Sequence, residues 1–147
     1  MADLITFKIK GADELSRIFK TLPQEMQRKI VVPAAKEAMG VVLKDAIARA
    51  SAVDNPLTYP DISKNIVLTE DKKYFAETGS TKISVGVRKT KRGVRGGNTY
   101  YWWWLELGTS RIRAHPFMRN ALNQNQQAVF QDFLSVAKLK LIDLGLN

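Results

Sequence analysis

Residues 23–52 hold the feature that most restricts how this chain can fold. Met26, Ile30, Ala34, Ala38, Val42, Ala46 and Ala50 recur at helical spacing and make one apolar stripe. The spacing predicts a helix from Pro23 to about Ala52. Its alanines let another helix or a sheet approach closely. Pro23 suits the first turn, where a missing N–H costs nothing. Pro33 lies inside the pattern, where it removes a backbone hydrogen bond and crowds the preceding turn. A kink is expected there, or two helices meeting near Val32. Gly40 is a second weak point.

The remaining elements follow from period and punctuation. Leu4 to Lys10 alternates Ile5, Phe7 and Ile9 with Thr6, Lys8 and Lys10, the pattern of a half-buried strand ended by Gly11. Asp13 can cap a helix that places Leu15, Ile18, Phe19 and Leu22 on one face. Pro56 and Pro60 punctuate a loop from Ser51 to Asp61, and one helical turn is expected near Asp61–Ile66. Ile66–Thr69 and Ile83–Arg88 read as strands, with a polar, turn-like stretch between Glu70 and Ser80. Tyr100–Leu107 fits either period, and we read it as a short helix. Pro116 starts a last helix with Phe117, Ala121, Ala128, Phe130, Phe133, Leu134, Ala137 and Leu141 on its apolar side. Lys138 and Lys140 suit the negative end of its dipole. At 147 residues the chain is expected to be one domain, residues 1–147, with a mobile basic loop at about residues 88–98.

Charge and aromatic area concentrate in the same region. The net charge is +9, and the segment from Lys82 to Arg113 holds eight basic residues against the single acid Glu106. A field of that kind attracts nucleic acid or an acidic protein surface, or simply keeps a loop solvated. Tyr100, Tyr101, Trp102, Trp103 and Trp104 are consecutive and include every tryptophan of the chain. So much ring area belongs to a core or to a contact face. Glu106, between Leu105 and Leu107, would be costly to bury alone; Arg111, Arg113 and Arg119 are its candidate partners. Gly108 is expected to take a positive φ or to admit a close approach of another chain.

The residues for catalysis are sparse. There is no cysteine, so disulfides, thiolate metal sites and thiol nucleophiles are excluded. His115 is the only histidine, which excludes multi-histidine metal sites. Ser110 lacks the G-x-S-x-G setting of a nucleophile. Lys91-Arg92-Gly93-Val94-Arg95-Gly96-Gly97 lacks the order of a phosphate loop but could touch nucleic-acid backbone, and the rings could stack on bases. The expectation is a non-enzymatic chain without cofactor or metal. MADLITFKIK shows no leader pattern and no apolar run is long enough to span a bilayer, so a cytoplasmic site of assembly and no membrane are expected.

Trp104-Leu105-Glu106-Leu107-Gly108-Thr109, followed by Ala114-His115-Pro116-Phe117-Met118-Arg119 and Ala121, resembles a motif of one protein family. Its pattern is aromatic–x–E–[FL]–G–T…[AR]–x–P–F–[ML]–R–x–A. The family is that of the tail-completion, head–tail joining or neck proteins of lambda-like long-tailed phages and prophages. The order of the first strand, the helix after Gly11 and the long alanine-bearing helix after Leu22-Pro23 is similar too. The crowded YYWWW run and the longer basic glycine loop depart from the pattern.

The resemblance implies an α+β fold, with helices packed on a small antiparallel sheet. It implies a structural role in the virion, joining the DNA-filled head to the tail. A ring at the neck, commonly sixfold, would form from chains that can be monomeric alone. Partners would be other neck and tail proteins, such as a head-closure or adaptor protein and a tail terminator. The candidate contact residues are Tyr100, Trp102, Trp103, Trp104, Glu106, Gly108, Arg111, Arg113, Pro116 and Phe117. Arg88, Lys89, Lys91, Arg92 and Arg95 would face the DNA channel, with non-specific contact, or an acidic neighbour. The competing reading is a basic nucleic-acid-binding domain using residues 82–113.

Overall fold

A computed structural model describes residues 12–55, 57, 60–88 and 99–145. The strand expected at Leu4–Lys10, most of the basic loop, and with it Lys89, Lys91, Arg92 and Arg95, lie outside the described residues. Within them, helices pack on a small antiparallel sheet, an α+β arrangement.

Two long helices form the body. α2 (Gln24–Val53), which follows α1 (Ala12–Lys20), buries Ile30, Ala34, Ala38, Val42, Ala46 and Ala50, every fourth residue. α5 (Met118–Asp143) answers with Ala121, Asn125, Val129, Phe133, Ala137 and Leu141, all buried or half-buried at the same step. An α-helix turns about 100° per residue, so each step of four advances the buried line by about 40°. Over six positions the line winds roughly 200° around each axis. A period above 3.6 winds the contact in the right-handed sense.

The winding divides the interior in two. At one end Val42, Ala46 and Ala50 meet Phe117 and Ala121 together with Ile62 and Ile66. At the other, Ile30 and Ala34 meet Ala137, Leu141 and Leu15 of α1. The two helices are therefore antiparallel. Within the first of these ends, Asn125 Nδ2 donates to Asp45 Oδ2 at 2.7 Å and to its own helix's Ala121 carbonyl.

α2 passes through Pro33 and Gly40 as one helix, so the two helices that were the alternative to a kink do not form. Pro33 faces solvent, while Ile30, Ala34 and Ala38 on either side are fully buried. Continuous packing against the rest of the core outweighs the roughly 3 kcal/mol that a helical proline costs. Gln27 Nε2 closes the α1–α2 turn by donating to the carbonyls of Phe19 and Leu22. Asp13 sits inside the first turn of α1 rather than before it, where its charge still complements the helix dipole. Phe130, expected on the apolar side of α5, is 44% exposed, because the winding line passes through Val129 and Phe133 instead.

A 3-10 turn at Ile62–Asn65, opened by Asp61 accepting from Ser63 N–H, leads into the sheet. β1 (Ile66–Glu70) and β2 (Ile83–Val87) pair antiparallel, with Ile66 opposite Val87 and Glu70 opposite Ile83. The intervening segment is not merely a polar turn. It contains α3 (Lys72–Thr78), capped by Asp71, which accepts from Tyr74 N–H, and closed by Gly79 at φ 73°. Glu70 ties this hairpin to α2: it accepts from Arg28 Nη2 at 2.6 Å and lies 3.5 Å from Lys36 Nζ. The Arg28 guanidinium also lies 4.3 Å from the centre of the Phe75 ring.

The Arg28 hydrogen bond holds the Glu70 carboxyl below the usual carboxylate range, against the opposing effect of desolvation. A lowered folded-state pKa means that the unfolded chain takes up protons first as pH falls. The contribution of the pair is therefore full above the ordinary glutamate range and lost below it. Glu70→Gln is expected to lower stability at neutral pH and to flatten the acid limb of a urea-denaturation series between pH 7 and 3. An unchanged acid limb would show that the pair contributes nothing.

Candidate docking surface at the α4–α5 turn

The aromatic run is sorted by a short helix, α4 (Trp102–Leu107). Thr99 is buried just before it and accepts a 2.8 Å hydrogen bond from Asn65 Nδ2. Tyr101 turns inward. Its hydroxyl lies 3.0 Å from Asp54 Oδ1 and 3.1 Å from the carbonyl of Pro60. Asp54 also accepts from Ile62 N–H, so this one carboxylate joins the end of α2, the 3-10 turn and α4. Burial, and then the neighbouring Asp54 carboxylate, push the Tyr101 hydroxyl well above its usual pKa.

Trp102 and Leu105 also pack against the core at this end. The opposite side of α4 is exposed. Tyr100, Trp103, Trp104 and Leu107 are 62%, 54%, 48% and 58% exposed, at the i, i+3, i+4, i+7 spacing of one helical face. Trp103 stacks on the inward Trp102 with ring centres 4.1 Å apart, and Tyr100 meets Trp104 edge-on at 5.6 Å. The rings are thus braced against each other and against the core.

Glu106 explains how this face is held. Its side chain is inside the molecule, with the residue 4% exposed. Oε2 accepts from the N–H groups of Phe117 and Met118 at 2.8 and 2.9 Å. Oε1 accepts from Arg119 N–H and Arg119 Nε, both at 3.0 Å. Arg119 Nη2 returns to the Glu106 carbonyl at 2.7 Å. A helix start leaves N–H groups without intrahelical partners and carries partial positive charge. Here a carboxylate from another helix fills that role, and the burial cost of its charge is offset by four hydrogen bonds to it.

Gly108 makes the reversal possible. It has φ 74°, and a Cβ there would lie 2.8 Å from the backbone nitrogen of Ala114. Thr109 then folds the loop on itself: its Oγ1 accepts from the N–H groups of Arg111 and Ile112, and its own N–H donates to the Ile112 carbonyl. His115 N–H donates to the Leu105 carbonyl, which pins the loop beside α4. Phe117, 1% exposed, fills the core beneath.

The ten candidate contact residues therefore divide. Tyr100, Trp103, Trp104, Arg111 and Arg113 are exposed. Glu106 and Phe117 are interior and cannot themselves touch a partner; they hold the turn. Gly108, Trp102 and Pro116 are half-buried, Gly108 because the loop folds back over it and Trp102 because it meets the core. Of the three arginines considered for Glu106, Arg119 is the partner, whereas Arg111 and Arg113 form no ion pair among the described residues. Arg88 is exposed, with its backbone N–H on the Asn65 carbonyl. His115 is exposed at the rim of a shallow groove of about 380 Å³, which Arg49, Val53, Arg113, Phe117 and Asn120 also line. Leu107 and Ile112 belong to the exposed surface as well, and their apolar character was the available signal. Among the described residues no cluster of three or more acidic or histidine side chains could hold a metal, and no helix is long and apolar enough to cross a membrane.

Glu106→Gln exchanges one acceptor oxygen for a donor facing N–H groups. It is expected to destabilise the chain by roughly 1–3 kcal/mol in urea denaturation, the cost of stranding a buried donor. Gly108→Ala is expected to lose about as much or more, because it combines a positive φ with a backbone clash. Arg119→Ala, whose side chain is 56% exposed, is expected to cost less than either. Equal, negligible effects of all three would contradict the capping role.

Comparison with known proteins produced no match to any protein-family model, curated protein or solved structure.

Proposed function

We propose that this chain is a non-enzymatic virion assembly part that helps join a DNA-filled head to a tail, as one subunit of a ring at the neck. The observation that carries the reading is the aromatic face of Tyr100, Trp103, Trp104 and Leu107, each about half exposed yet held by a buried carboxylate cap. That cap is built from the Glu106, Gly108, Thr109, Phe117 and Arg119 of the motif that resembles the neck family. Rigid exposed tryptophans beside arginines suit a protein contact, since they bury large areas with little entropy to lose. The partners on this reading are copies of the same chain and other neck and tail proteins, with the virion as its final location.

The test is particle assembly with Trp103→Ser and Trp104→Ser combined. Both side chains are about half exposed, so folding stability is expected to change by no more than about 1 kcal/mol. The yield of joined, infectious particles is expected to fall by roughly tenfold or more, given the weight that such anchors carry in interfaces. Normal joining by this variant would contradict the proposal.

One observation favours a second reading, a nucleic-acid-binding domain. Arg88, Arg111 and Arg113 are exposed without an ion pair among the described residues, and Tyr100, Trp103 and Trp104 are exposed as well. Under that reading, tryptophan fluorescence of the purified chain would quench on addition of single-stranded oligonucleotide, with affinity falling steeply as salt rises. Absence of quenching at low salt would remove it.

A further inference from the structure

The aromatic face is not the only bare apolar surface. On the C-terminal half of α5, Leu139 and Ile142 are each 60% exposed. At about 100° per residue, Asp132, Ser135, Leu139, Ile142 and Asp143 fall within roughly 100° of arc. All five are exposed, and neither aspartate forms an ion pair among the described residues. The face exists because the buried line has wound to the other side of α5, through Ala137 and Leu141. Lys138 and Lys140 flank the arc without entering it.

The two bare surfaces are complementary in kind. One presents rings and Leu107, with Arg111 and Arg113 on the adjoining loop. The other presents two aliphatic side chains with two aspartates. They also lie far apart: α4 adjoins the start of α5, and about 30 Å of helix runs from there to Leu139. A surface at one end that fits a different surface at the other generates head-to-tail contacts, which close into a ring or continue as a filament. We propose that the Tyr100–Trp104–Leu107 face of one copy docks on the Asp132–Leu139–Ile142 face of the next, with Arg111 and Arg113 against Asp132 and Asp143. This rests on the reading of the aromatic face as a contact surface and names what covers it.

The chain has no cysteine, so two can be placed at will. Leu107→Cys with Leu139→Cys, treated with a short bismaleimide at high protein concentration, is expected to give a covalent ladder of three and more chains. It should exceed by about fivefold or more the ladder from Leu107→Cys with Lys73→Cys, a control on exposed α3. Arg111→Asp with Arg113→Asp should abolish it, and adding Asp132→Arg with Asp143→Arg should restore it. All of these positions are exposed, and circular dichroism verifies that each variant is folded. A ladder no stronger than the control, or one indifferent to charge reversal, overturns the joint. If the ladder is missing while particle joining still depends on Trp103 and Trp104, only this joint is wrong. If joining does not depend on them, the reading beneath it fails.

Discussion

The carboxylate of Glu106 is the interaction on which the candidate surface depends. It lies inside the molecule and takes its hydrogen bonds from the first turn of α5 and from Arg119. A single side chain thereby fixes the angle between a six-residue helix and a 26-residue one. A helix as short as α4 would not persist alone in water, since nucleation consumes most of what so few hydrogen bonds return. Its order is supplied by that cap on one side and by Tyr101, Trp102 and Leu105 against the core on the other. What remains exposed is the face that this arrangement turns outward.

The frame beneath it is simple. Two antiparallel helices meet along lines of period four, filled mostly by alanine at the narrow points and by Ile30, Val42, Phe133 and Leu141 elsewhere. Because each line winds around its helix, neither helix has one dry face and one wet face along its whole length. The same property that lets α5 help close both halves of the interior also leaves Leu139 and Ile142 outside. Exposed apolar area at the far end is thus a geometric consequence of the packing, and assembly can make use of it.

Much of this was readable from residues. The stripe from Ile30 to Ala50 identified every buried position of α2, because alanine and β-branched residues at a steady spacing leave little alternative. β1, β2 and one helical turn near Asp61–Ile66 were legible too, β2 from its alternation. Four things were not. Pro33 argued locally for a break, but local propensity yields to packing over thirty residues. Nothing in the sequence marked Asn125 for the α5 line, where Asp45 accepts its amide. The partner of Glu106 could not be chosen among three arginines without knowing that the acid caps α5 in space. The fate of each aromatic ring was hidden too: five consecutive rings carry no sign of which will face inward until α4 sets the phase.

The most direct measurement of the central claim is amide hydrogen exchange at Phe117, Met118 and Arg119 under native conditions. These three donors begin a helix, where such groups ordinarily exchange by local fraying. With Glu106 accepting from each, their protection is predicted to approach that of the α2–α5 core and to collapse selectively in Glu106→Gln. Exchange at the rate of an exposed loop in the unsubstituted chain would contradict the account.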